Sequence, residues 1–67
     1  MQLTINGTPR TFPRPIDTVA DLVRELALEG KRIAVERNGE IVPRSRYADT
    51  PVAVGDSLEI VGAVGGG

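Results

Sequence analysis

The sequence predicts an α+β fold, with one helix packed on one face of a mixed four- to five-stranded sheet. Three observations carry that reading. Short runs alternate apolar and polar residues with a period of two, as half-buried strands do. A single stretch, DTVADLVRELALEG, carries helical spacing instead. Glycine-containing turns separate these segments. The 67 residues fit one small domain. At that size only about 60% of the unfolded chain's surface can be buried, so the core must be thin.

The elements follow in order. Residues 2–6, QLTIN, place Leu3 and Ile5 on one face. Asn6-Gly7 supplies two residues that tolerate positive φ, the strongest short hairpin signal. The chain then returns over residues 9–14 with Phe12 inward, and Pro9 and Pro13 suit an edge strand. Thr18 with Asp21 three residues later resembles a capping box, although Glu or Gln is the usual third partner. Val19, Leu22, Val23 and Leu26 fall at i, i+3, i+4 and i+7, an apolar stripe on a helix of about three turns. Asp21, Arg24 and Glu25 take its wet face, and Gly30 closes it.

RIAVERNGEIVP reads as strand, Asn38-Gly39 turn and short strand. RSRYADTP, residues 44–51, is a polar loop or short helical turn with a proline stop. Gly55-Asp56 turns the chain into SLEIV, residues 57–61, with Leu58 and Ile60 inward and Glu59 outward. A lone helix must cover a sheet face to bury its stripe. The most economical arrangement sets the last strand centrally beside the first, which is the β-grasp arrangement. Residues 1–61 then form the domain, and residues 62–67 leave the rim as a flexible Gly-Gly tail.

Composition narrows the function classes. Apolar residues make up 40% and charged residues 25%, with both signs interspersed, a globular rather than disordered balance. A net charge of −1 gives no long-range attraction to nucleic acid or anionic membrane. Phe12 and Tyr47 are the only aromatic residues, too few to stack bases. No apolar run approaches the roughly 20 residues of a membrane span. The first strand pattern starts at Gln2 without a charged leader, so a cytoplasmic location is expected. The chain has no His and no Cys. A Ser–His pair, a thiol nucleophile and the usual zinc site are therefore absent, and no metal site is expected.

Three features are candidates for function. The glycine cluster could cradle phosphate, but such loops lead into a helix N-terminus and this one does not. Arg44, Arg46 and nearby Arg37 could bind an anion or orient a partner protein, against the commoner reading of a solvated face. The third candidate is the tail, AVGGG after Gly62. It carries no charged side chain, so it can enter an enclosed cleft without desolvating one. Gly66 and Gly67 have no Cβ, so walls can close on the backbone from both sides. The six residues after Val61 reach roughly 20 Å when extended. Such a tail delivers the Gly67 α-carboxylate, which a partner enzyme can activate as an acyl adenylate.

These residues resemble the ubiquitin-like sulfur carriers, and among them the ThiS-type carriers of thiamine biosynthesis. The resemblance runs through the Asn-Gly hairpin, TVADLVREL, VERNGEIVPRSRYADTPV, GDSLEIV and the AVGGG ending. The Gly-Gly end is shared by many carriers and modifiers; VERNGEIVPRS and AVGGG are more specific. Gly62 departs from the pattern, where a larger and often polar residue is expected, and adds flexibility at the tail's root.

The resemblance implies a cycle. An E1-like adenylating enzyme of the ThiF type uses Mg-ATP to adenylate Gly67. A sulfur donor such as a cysteine desulfurase then yields a C-terminal thiocarboxylate. A ThiG-type thiazole synthase takes that sulfur into the thiazole ring. The carrier itself would bind no cofactor and would be a co-substrate rather than an enzyme. Ala63, Val64, Gly65 and Gly66 match the threaded approach to the partner. The open side of the sheet near the last strand, with Val61 and Val42, is the expected docking face on position alone. The molybdopterin-synthase small-subunit type is the nearest alternative carrier, although it usually has a longer chain and a different segment before the glycines. A non-catalytic β-grasp interaction domain with an inert tail is the alternative of another class.

Overall fold

The structure, a computed structural model, describes residues 1–62. Its elements are β1 (Gln2–Ile5), β2 (Thr8–Thr11), α1 (Val19–Glu25), β3 (Ile33–Arg37), β4 (Glu40–Val42), a 3-10 helix (Arg44–Asp49) and β5 (Ser57–Gly62). The five strands form one sheet in the order β2-β1-β5-β3-β4. β5 runs parallel to β1 and antiparallel to β3, so the last strand lies in the middle, as expected. The architecture is α+β, a β-grasp with α1 over one sheet face.

Both Asn-Gly pairs make the predicted turns. Asn6 and Gly7 have φ of 52° and 80°, and Asn38 and Gly39 have 50° and 88°. That double positive φ matches the right-handed twist of the strands they join. β1 and β2 are shorter than residues 2–6 and 9–14. Asn6 belongs to the turn, and Pro13 has no N–H with which to prolong β2. Phe12, just beyond β2, still donates its N–H to Met1 O at 2.7 Å and is buried. The Arg10 guanidinium lies 5.5 Å from the centre of its ring.

The capping box at Thr18 forms with aspartate as third partner. Asp21 N–H donates to Thr18 Oγ1, and Thr18 N–H donates to Asp21 Oδ2, both at 3.2 Å. The helix is shorter than predicted, at seven residues. Gly30 does not close it. Ala27 takes the left-handed conformation, with φ of 59°. Its N–H donates to Arg24 O at 3.0 Å, and Leu28 N–H reaches back to Val23 O at 2.9 Å. This is a Schellman closure with alanine where glycine is usual. Gly30 serves the next turn, with φ of 76°.

Leu3, Leu22, Val19, Val35 and Leu58 form the centre of the core, each under 2% exposed. Leu26 packs against it, half-buried. Ile16 and Val52, outside every strand and helix, complete the core from the segments that flank α1 and β5. Truncating a residue such as Leu22 would cost about 2–5 kcal/mol, because a thin core cannot collapse into the space.

Candidate functional site

Strand register decides what the sheet offers a partner. Side chains alternate faces along a strand, and directly paired residues share a face. Val42 pairs with Val35, and Val35 pairs with Ile60. All three are buried on the helix side. Val42 is 7% exposed, so it is not on the open face where it was expected beside Val61. Its neighbour Ile41 is there instead, 76% exposed.

On the open face Val61 pairs with Ala34, and Glu59 pairs with Glu36, which pairs in turn with Ile41. Val61 is 57% exposed. The face near the end of β5 is thus two exposed aliphatic side chains around two adjacent carboxylates. The spacing within SLEIV already put Glu59 outward, and Val61 is on the open face where its position suggested. Ile41 and Glu36 could have been added by counting out from the Asn38-Gly39 turn, because a two-residue hairpin fixes its own register.

Gly62, expected to begin the tail, lies within the sheet. It is the last residue of β5 and pairs with Ile33. Beside this strand end, a groove is lined by Ile60, Val61 and Gly62 of β5 and by Leu28, Lys31, Arg32 and Ile33. The expected reactive terminus Gly67, and the approach residues Ala63, Val64, Gly65 and Gly66, lie outside the described residues.

The three arginines divide between two grooves: Arg37 and Arg46 line one together with Glu40, and Arg44 lines another with Glu29. Arg37 Nε donates to Asp56 Oδ2 at 3.0 Å. Asp56 also accepts from Asn38 Nδ2 at 3.2 Å and from Ala53 N–H at 2.8 Å. Partial burial pushes the Asp56 carboxyl up, but the bonds from Ala53, Asn38 and Arg37, with the Arg37 charge, hold it below its ordinary 3.8. This knot ties the β3–β4 turn to the start of β5: Asn38 Oδ1 accepts from Ser57 N–H at 3.0 Å. Arg44 and Arg46 stand exposed on the 3-10 helix. No cluster of three or more metal-ligating side chains exists among the described residues. No helix among them is long and apolar enough to cross a membrane.

The ThiS family model matches residues 3–67. The chain belongs to the ThiS family. Over 65 residues it is 38% identical to a sulfur carrier protein ThiS from Bacillus subtilis, covering 97% of this chain and 98% of that one. It is 51% identical over its whole length to a thiazole synthase of Paramagnetospirillum magneticum, but spans only 20% of that protein. The crystal structure of a thiamine biosynthesis protein, ThiS, from Geobacter metallireducens superposes with a TM-score of 0.84 at 35% identity, each chain covered completely. The ThiS fold is therefore the fold of this chain, and the family match includes the glycine end.

Proposed function

We propose that this chain is a sulfur carrier for thiamine biosynthesis, a protein co-substrate whose reactive group is the Gly67 carboxylate. One observation carries the proposal: the ThiS family match spans residues 3–67 and so includes Gly67. The carrier relative, matched over nearly its full length, supports it.

The chemistry follows from the terminus. A carboxylate oxygen of Gly67 attacks the α-phosphorus of Mg-ATP on a ThiF-type adenylating enzyme, giving an acyl adenylate and pyrophosphate. A sulfur nucleophile, supplied by a cysteine desulfurase or a related donor, then displaces AMP. Sulfide gives the thiocarboxylate directly. The outer sulfur of a donor persulfide gives an acyl disulfide, whose S–S bond a thiol reductant must cleave, leaving the thiocarboxylate and the donor thiol while the reductant is oxidised to a disulfide. A ThiG-type synthase takes the sulfur from it, and the appearance of a matching segment inside a thiazole synthase supports that partnership. Nucleotide and magnesium belong to the partner enzyme. The carrier contributes a folded docking domain and a terminus without side-chain bulk. The cytoplasm is the compartment this proposal implies.

Intact mass is the test, after incubation with the ThiF-type enzyme, ATP and sulfide. A gain equal to sulfur replacing oxygen, absent after deletion of Gly66 and Gly67, is expected. An unchanged mass, with enzyme active on another carrier, overturns the proposal.

A further inference from the structure

Glu36 and Glu59 are directly opposed in the antiparallel β3–β5 ladder, on the open face. Like charges in that relation destabilise a sheet, because their Cβ atoms stand only about 5 Å apart. Both side chains are exposed. The ion pairs among the described residues are Arg24 with Asp21 and Glu29, and Arg37 with Asp56. None involves this pair. The repulsion is therefore uncompensated within the described fold. It sits between Val61 and Ile41, two of the large apolar side chains most exposed to solvent.

We propose that this face docks the adenylating enzyme through an arginine of that enzyme placed between Glu36 and Glu59, with apolar contacts to Val61 and Ile41. The inference rests on the carrier reading above and adds the chemistry of the partner's surface. A guanidinium suits the position because its planar fork of donors can bridge two carboxylates and it is weakly hydrated. The like-charge strain is relieved only in the complex, so the pair favours binding over the free state. Place agrees with charge. Val61 lies one residue before the end of β5. A partner seated here therefore receives whatever follows the strand. A second copy of this chain is a poor occupant, since two such faces would oppose four carboxylates. Nucleic acid and anionic lipid would set phosphates against the same two carboxylates.

The experiment measures affinity for the ThiF-type enzyme, melting temperature and sulfur transfer by intact mass, on the full chain. In the variant Glu36→Gln with Glu59→Gln, affinity should fall about tenfold or more, and its salt dependence should flatten. The melting temperature should hold or rise. Glu59→Arg gives Glu36 an opposite charge across the ladder, so it should stabilise the fold while weakening binding further. A purely structural pair would move stability and binding down together. Wild-type affinity in both variants, with wild-type protein still charged with sulfur, overturns this inference and leaves the carrier reading intact. Wild-type protein that is neither bound nor charged overturns both. Dimerisation of the wild type that is lost on Val61→Asp would assign the face to a second copy and overturn the inference alone.

Discussion

The side chain of Asn6 is bound to the backbone of Ile60, 54 residues away, by two hydrogen bonds. Asn6 Nδ2 donates to Ile60 O at 2.9 Å, and Ile60 N–H donates to Asn6 Oδ1 at 2.7 Å. The Asn6 backbone N–H also donates to Leu58 O at 2.9 Å. Where β1 stops and turns away, the amide continues the ladder along β5 by imitating one more peptide. Asn6 therefore does two things: it permits the turn with positive φ, and it holds the strand that ends at Gly62.

Two substitutions separate those roles. Asn6→Gly keeps the turn and loses the side-chain pair, and should cost about 1–2 kcal/mol. Asn6→Ala adds a left-handed alanine, for roughly 1 kcal/mol more. Urea denaturation of both variants checks this, and hydrogen exchange at the Ile60 amide should speed up in each. Unchanged stability in Asn6→Gly would show that the amide pair contributes nothing.

Ala27 offers the opposite change. It is exposed and holds φ of 59° to close α1. Ala27→Gly removes the Cβ penalty at that position. Glycine's extra freedom in the unfolded chain offsets part of the gain, which leaves a stabilisation of about 0.5–1 kcal/mol. A lower melting temperature for the variant would refute the strain assigned to this residue.

The Asp56 knot predicts acid sensitivity. Its carboxyl is held below 3.8 in the fold, so its contribution is fully present above the ordinary value and is lost as pH falls through the lowered one. Asp56→Asn should be destabilised at neutral pH, and its deficit should shrink steadily below about pH 4. Asp21 is lowered too: some desolvation raises it, outweighed by hydrogen bonds from Arg24, Thr18 and Asp17. The variant should therefore keep a residual acid slope. Thermal melts across pH 2–7, a range set by ordinary carboxylate values, would expose a constant deficit, which contradicts the assignment.

Gly62 can be replaced. Its φ is not positive, and an added Cβ would meet nothing within 4 Å. Gly62→Thr should stabilise the end of β5 by about 0.5 kcal/mol, since glycine weakens a strand interior. Sulfur charging should persist, because the change leaves Gly67 and its approach untouched. Loss of charging with a stable fold would show instead that freedom at this position is needed.

Residues whose signals are local were readable from the sequence. The two Asn-Gly turns, the Thr18 cap and the inward pair Leu58 and Ile60 all announce themselves within a few neighbours. The end of α1 was not readable, because a left-handed alanine has no composition signature and Gly30 supplied a better-looking stop. Ile16 and Val52 belong to no periodic pattern; each follows a proline in an irregular segment, and only the tertiary fold turns them inward. Val42 was put on the wrong face, since parity must be carried through the Asn38-Gly39 turn and across two strand pairings. The opposition of Glu36 and Glu59 lies further off still, because nothing in either strand alone specifies its partner residue.

The parallel pairing of β1 with β5 has a consequence for synthesis. Ribosomes make the middle strand of this sheet after all the others. Until Ser57–Gly62 emerges, β1 and β3 have no common neighbour, and the apolar faces of both hairpins remain open to water or to chaperones. Cooperative folding must therefore wait for nearly the whole domain, a long-range closure that favours slower folding than local contacts allow. A chain interrupted before Ser57 yields no smaller working domain; it yields a substrate for proteolysis.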